Sequence, residues 1–153
     1  LFIFSNSRFI FSCIYCYCSV MNNPNSIVLK AFNKHLFEFI EDVIVIFPDN
    51  THITDSRDMM LSLKKANPSL LIKLWKKYIW GPYEKEISEG NIDFFIEKDY
   101  TEDFRNLPNG PAVSTAIDNT IRGPMREMDD TNRSHCIKHL QIVSQLSGKY
   151  TVN

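Results

Sequence analysis

The chain has 153 residues, of which 44% are hydrophobic and 23% are charged, and its formal net charge is -1. This length supports one domain with a single core, and this composition favours a folded chain over a disordered one. The small net charge excludes a general attraction to nucleic acid or to an acidic membrane, so such binding would need a local basic patch. Five glycines are few for an all-β protein with many tight turns.

The first twenty residues differ from the rest of the chain. They are rich in Phe, Ile and Tyr, carry a single charge at Arg8, do not begin with Met, and end just before Met21. A signal peptide, a short membrane anchor and upstream translation before a start at Met21 are the three interpretations. The uninterrupted apolar run is shorter than the ~20 residues that a membrane span needs. We therefore expect residues 1-20 to be non-native upstream translation or a signal-like segment, residues 21-153 to form one helical domain, and no membrane contact unless residues 1-20 are expressed.

Helical periodicity begins soon after Met21. Asn25 or Ser26 is predicted to cap a first helix over residues 27–47, and Thr54 or Asp55 a second helix that ends at residue 65. The end of the first helix is β-branched and favours a strand by propensity, but the spacing of apolar residues continues through it. Its predicted apolar stripe consists of Leu29, Phe32, Leu36, Phe39, Ile40, Val43 and Phe47.

A central helix is predicted over residues 68–80, where both tryptophans of the chain lie. Pro68 is predicted to open this helix and Gly81-Pro82 to close it, because proline is tolerated in a first turn and disfavours helix in the preceding residue. We expect this helix to pack against the first and last helices. Its predicted inward face consists of Leu71, Leu74, Trp75, Tyr78 and Ile79.

Four further helical segments are predicted in the second half. The first runs over residues 82–89 before Gly90, and the second covers one or two turns after Asn91. The third runs over residues 112–122 and ends at a break at Gly123-Pro124. The last begins at residue 124 or after a cap at residues 129–131, and it reaches residue 146 before a stop at Gly148. A lone strand is the alternative for the segment after Asn91. The predicted fold class is all-α, with a single compact domain of about five to seven helices.

Several short motifs resemble a small family of proteins from the large nucleocytoplasmic DNA viruses of algae and other protists. The resemblance covers residues 26–150 and excludes the first twenty. It implies a viral protein in the virion or the host cytoplasm, and the family has no established activity or catalytic residues to carry over. The motifs are Phe32-Asn33, Phe37-Glu38-Phe39, Ala66-Asn67-Pro68, Trp75-x-x-Tyr78-Ile79, Pro82-Tyr83, Phe94-Phe95-Ile96-Glu97-Lys98-Asp99-Tyr100 and Ile121-Arg122-x-Pro124-Met125-Arg126.

Two patterns invite a metal interpretation. Cys13 and Cys16 have Cys-x-x-Cys spacing. His135 and His139 are four residues apart on one face of the last predicted helix. If the first and last helices pack together, His35 and Glu38 of the first helix could join these two histidines. A structural zinc site needs four ligands, and no second Cys or His pair lies near the two cysteines. The histidine group lacks the paired Glu-x-x-His pattern of helical-bundle metal sites, and the apolar residues of the last helix define a different face. We therefore predict no metal site and no cofactor.

No predicted cluster combines a nucleophile, a base and a positioned partner, so we predict a protein that is not an enzyme. Cys136 lies beside His135, but adjacent residues on a helix point apart. The four carboxylates in residues 95–103 are interpreted as a solvated acidic loop, which is how charge runs usually behave.

One basic-aromatic surface is predicted around the central helix. It combines Lys64, Lys65, Lys73, Lys76 and Lys77 with Trp75, Tyr78, Trp80 and Tyr83. We predict that Lys73, Lys76, Lys77 and Trp80 bind an acidic protein partner, viral or from the host, as part of a viral interaction module or minor virion component. The alternative is a nucleic-acid-binding accessory protein that uses the surface from Lys64 to Lys77. The structural interpretation is that Trp75 and Tyr78 belong to the core.

Overall fold

The computed structural model describes residues 23–106 and 109–152, apart from the side chain of Val113. Of these residues 83% are helical and none lies in a strand, which confirms the predicted all-α class. Our interpretations of residues 1-20 and of the cysteines at positions 13, 16 and 18 lie outside the described residues.

Seven continuous helical segments occur in the described part of the chain, within the predicted range. Two of them, α3 and α6, each contain one short π-helical stretch, Lys76–Trp80 and Asp118–Arg122, which we call the first and the second π turn. The segments are α1 Pro24–Ile46, α2 Thr51–Ala66, α3 70–89, α4 Ile92–Glu97, α5 Thr101–Phe104, α6 110–127 and α7 Asp130–Lys149.

Side-chain caps fix most helix starts. Asn91 accepts a hydrogen bond from the Phe94 amide at 3.3 Å and Asp129 accepts one from the Asn132 amide at 2.9 Å, which confirms both predicted caps and excludes a strand after Asn91. Helices α1 and α2 begin earlier than predicted, at caps formed by Asn23 and Asn50.

The predicted packing of the central helix is confirmed, since α1, α3 and α7 contact one another around the core. Phe32 of α1, Ile72 of α3 and Val143 of α7 are fully buried where these helices meet. The Phe32 ring also packs edge-on against Trp75, with 6.1 Å between the ring centroids. Burial of such large apolar side chains is the main source of stability in a helical domain.

The prediction that Gly81-Pro82 and Gly123-Pro124 end helices was wrong at the pairs themselves, although α3 has a kink just after the first pair, where Tyr83 leaves helical backbone with φ -125° and ψ 22°. The chain stays helical through both pairs because the turn before each pair widens into a π turn, in which the glycine amide bonds the carbonyl five residues earlier, that of Lys76 or Asp118. A proline ring clashes with the carbonyl four residues earlier in a regular α-helix, and the extra residue in the turn relieves that clash. Both glycines fit closely, since a Cβ would lie 3.2 Å and 3.1 Å from these carbonyl oxygens.

Three smaller predictions about this region also need correction. Pro68 precedes α3, which begins at Leu70 after Ser69. Leu74 was predicted to face inward, but its side chain is 40% exposed. Gly148 was predicted to stop the last helix, but α7 continues to Lys149, and Gly148 is instead a packing residue under Trp80.

Candidate functional site

Lys76, one of the four predicted binding residues, makes intramolecular bonds at the end of α7. Its Nζ donates hydrogen bonds to the carbonyl oxygens of Gly148 at 3.0 Å and Tyr150 at 2.6 Å. The last carbonyls of a helix have no partner within the helix and lie at the negative end of its dipole, so an ammonium group is well placed there. Lys76 therefore acts as a C-terminal cap for α7 from a neighbouring helix.

Trp80 and Trp75 pack on a strip of small residues along α7. The Trp75 indole Nε1 donates a hydrogen bond to the Ser144 hydroxyl at 3.0 Å. A Cβ at Gly148 would lie 2.7 Å from Trp80 Nε1, so only glycine allows this close approach. Residues five apart on a regular α-helix differ in direction by about 140° at 3.6 residues per turn, and the wider π turn reduces this difference. The first π turn therefore helps both indoles to face α7.

Lys73 and Lys77 are more accessible. Lys77 is exposed, with its Nζ 4.9 Å above the centroid of the Tyr78 ring, and Lys73 is half-buried beside the exposed Leu74. None of the five lysines from Lys64 to Lys77 forms an ion pair with a described carboxylate. We call the surface formed by Lys73, Leu74 and Lys77 the basic edge.

The histidines do not converge on a common point. His35 pairs with Glu38 at 3.4 Å, whereas His139 pairs with Asp42 at 3.2 Å and stacks on Phe39. His135 is exposed. Among residues 23–106 and 109–152, no group of three or more His, Cys, Asp and Glu side chains is placed to hold a metal ion.

Cys136 is buried against Met128, with 3.4 Å between the two sulfur atoms. Burial, reinforced by the Asp42 carboxylate, raises the pKa of the thiol to about 11. The thiolate is the nucleophilic form of cysteine, so this thiol is neutral and unreactive at neutral pH.

An open polar groove of about 420 Å³ lies beside the second π turn. Asn50 Nδ2 bridges it by donating to the Asn119 carbonyl oxygen at 3.4 Å, and the Asp118 carboxylate on its wall is bound to Arg122 at 2.6 Å. The groove offers carboxylates and amides without a paired nucleophile and base. Its lining consists of Asp49, Asn50, Thr51, His52, Asp118, Asn119, Gly123, Pro124 and Glu127.

A cluster of aromatic rings around one lysine is a feature that our sequence analysis missed. The Lys98 Nζ lies 5.6 Å from the Tyr83 ring centroid, 5.9 Å from that of Phe94 and 5.7 Å from that of Tyr100. It also pairs with the Asp103 carboxylate at 3.1 Å. We call the three rings and this carboxylate the aromatic box.

The interpretation of residues 95–103 as a solvated acidic loop therefore holds only in part. All four carboxylates are exposed, but Glu97 ends α4, and Glu102 and Asp103 lie in α5. The Asp103 carboxylate also bonds both Lys98 and the Tyr83 hydroxyl. Alternation of aromatic and charged residues in this segment was the available signal. Nothing local in the sequence places the ring of Tyr83 beside it.

Comparison with known protein families, with curated proteins and with solved structures gives no match to this chain. The viral origin implied by the resemblance thus stays a prediction. No helix in the described part of the chain is both long and apolar enough to cross a membrane.

Proposed function

We propose that the chain is a non-enzymatic interaction module that binds an acidic segment of a partner protein on the basic edge. The observation that carries this proposal is a group of lysines without carboxylate partners in the described fold, beside an exposed leucine. Uncompensated surface charge attracts an oppositely charged partner and raises its association rate, while an apolar side chain adds buried area. The expected partner segment combines Asp or Glu with at least one apolar side chain.

A protein partner fits this surface better than nucleic acid. Binding of single strands relies on exposed aromatic rings on which bases stack. Trp75 and Trp80 pack against α7 instead, so nucleic acid would be left with phosphate contacts and the half-buried ring of Tyr78. The nucleic-acid alternative therefore becomes an outcome of the test below.

The setting that we propose for this module comes from the resemblance alone. It is a viral protein, in the virion or in the host cytoplasm, whose partner is another viral protein or a host protein. Of the four residues predicted to bind a partner, Lys73 and Lys77 are retained in the proposal, together with Leu74. Lys76 and Trp80 are assigned to the contact between α3 and α7.

The test is fluorescence anisotropy with a labelled acidic peptide that contains one leucine, the same peptide with serine in place of leucine, and a single-stranded DNA of similar charge. The double variant Lys73→Glu, Lys77→Glu is expected to lose about tenfold or more in peptide affinity, the usual scale for charge reversal at a contact. Lys30→Glu with Lys85→Glu is the matched control, because it changes the net charge equally at two exposed lysines elsewhere.

Leu74→Ser separates the apolar contribution from the charge. It should weaken binding of the leucine peptide and leave the serine peptide almost unaffected. Equal loss in the control pair would show that only overall charge matters. Tight DNA binding with a steep salt dependence, without measurable peptide binding, would overturn the proposal in favour of nucleic acid.

A further inference from the structure

We propose that the aromatic box is a binding site for a methylated ammonium group, and that the chain's own Lys98 closes this site as an internal competitor. The site includes Tyr83, which follows the basic edge along α3, and it does not depend on the proposed function. Boxes of aromatic rings with an acidic wall bind quaternary and methylated ammonium ions because the ring faces carry partial negative charge.

The walls of the box stand at steep angles to one another. The planes of Tyr83 and Tyr100 meet at 89°, and those of Tyr83 and Phe94 at 59°. All three centroids lie within the distance of about 6 Å at which a cation is attracted to a ring face. By contrast, Lys64 and Lys77 each lie over a single ring. Three rings around one ammonium group therefore distinguish this cluster from an ordinary lysine–aromatic contact.

The Asp103 carboxylate, which forms the acidic wall, is positioned by a hydrogen bond from Tyr83. Asp103 Oδ2 accepts a hydrogen bond from the Tyr83 hydroxyl at 2.5 Å. Burial, together with this hydrogen bond, raises the pKa of Tyr83, so its hydroxyl stays protonated and keeps donating to the carboxylate. The same carboxylate oxygen faces Lys98, and a methylated ammonium that keeps one N–H group could bond it in the same place.

A primary ammonium fits this box incompletely. It has three N–H donors, of which one finds the Asp103 carboxylate among the described residues while the rings can only offer their faces. A methylated ammonium has fewer N–H groups to leave unbonded and loses less hydration on entry. We therefore expect a methylated ligand to compete with Lys98 better than an unmethylated one.

The box is also accessible. The Lys98 side chain is 24% exposed, so solvent reaches the site from one side. Lys98 follows the last turn of α4 with extended backbone, φ -60° and ψ 133°, so its side chain can leave without the loss of a helical turn. A tethered group acts at an effective concentration in the millimolar range, which an external ligand must exceed in affinity.

The experiment measures binding of tetramethylammonium chloride, choline and a trimethyl-lysine peptide by NMR titration, with sodium chloride and the unmethylated peptide as references. Lys98→Ala is expected to bind the methylated probes about tenfold or more tightly than wild type, because the competitor is removed. Adding Asp103→Asn or Tyr100→Leu to Lys98→Ala should abolish that gain. Lys64→Ala is the matched control, since it removes a lysine from a single ring outside the basic edge.

Each outcome decides the proposal. Preference for the trimethyl-lysine peptide over choline would identify a protein side chain as the ligand, and the reverse a small quaternary amine. The proposal is overturned if a folded Lys98→Ala variant does not bind the methylated probes or binds them no better than wild type. It is also overturned if the gain in affinity persists after loss of Asp103 and Tyr100. Should Lys98→Ala not fold, the Lys98 side-chain resonances of wild type must shift with tetramethylammonium and not with sodium, or the proposal fails.

Discussion

The two π turns arise from the same cause and end in different environments. Each precedes a glycine–proline pair, and each is closed by a glycine amide bonding five residues back. The first lies against α7, where Lys76 caps the helix end and Trp80 covers Gly148. The second borders an open polar groove, and Ile121 within it is 48% exposed.

The two turns share a geometry that follows from the backbone, and they differ in the side chains and helices packed around them. Proline removes a donor and forces a wider turn in both places. The first π turn packs directly on α7, whereas the second contacts α2 on one side and borders the open groove. We therefore expect substitutions around the first π turn to cost much more stability than equivalent changes around the second.

The largest effect is expected for Trp75→Ala, which removes the indole beside the first π turn. Loss of its contact with Phe32 and of its hydrogen bond to Ser144 should lower the free energy of unfolding by about 3–5 kcal/mol, the usual cost of truncating a core aromatic. Urea denaturation measures it. A change below ~1 kcal/mol, the range of surface sites, would place Trp75 outside the core.

Gly148→Ala should destabilise by about 2 kcal/mol, because overpacking costs more than the helix propensity that alanine adds. The new methyl would sit 2.7 Å from Trp80 Nε1 and 2.9 Å from Trp80 Cε2, atoms of a rigid ring. Thermal unfolding measures the cost. Combining the change with Trp80→Leu should recover part of the lost stability. A thermal unfolding midpoint equal to that of wild type in Gly148→Ala alone would refute the close approach.

The glycines that close the two π turns offer a matched pair. A Cβ would meet a carbonyl oxygen at nearly the same distance in each, 3.2 Å at Gly81 and 3.1 Å at Gly123. Gly81→Ala is expected to cost about 1–2 kcal/mol, because α7 prevents the turn from shifting, whereas Gly123→Ala should cost less, because the turn can move toward the groove. Equal costs in denaturant unfolding would remove packing as the cause of the difference.

Much of the fold could be predicted from the sequence, since apolar spacing locates the main helices and Asn91 and Asp129 are strong caps. The errors have a common origin. Gly81-Pro82 was interpreted as a helix end because local rules treat glycine followed by proline as a break, whereas a π turn before the pair accommodates the proline within the helix. Leu74 lies in the regular part of α3 before that turn and is exposed, although its spacing predicted an inward face.

The candidate sites were predictable to a smaller extent. The lysines near Trp75 are obvious in the sequence, but only the fold shows that Lys76 reaches two carbonyls at the end of α7. The aromatic box could not be found locally, because Tyr83 and Lys98 are joined by tertiary contact between α3 and the loop after α4. Periodicity predicts which face of a helix is buried, but not which distant ring approaches a lysine.

We propose that the edge of α3 that carries Lys76 and Lys77 is divided between the fold and a partner, and variants of these two adjacent lysines distinguish the roles. Lys76→Met removes the cap on α7 and keeps the aliphatic stem, so it should lower the free energy of unfolding by about 1 kcal/mol. Lys77→Met removes an exposed lysine over one ring and should change it by less than about 0.5 kcal/mol. Urea denaturation of the two variants beside wild type gives the comparison. A loss confined to Lys76→Met would support the division, and equal effects, or a larger loss for Lys77→Met, would contradict it.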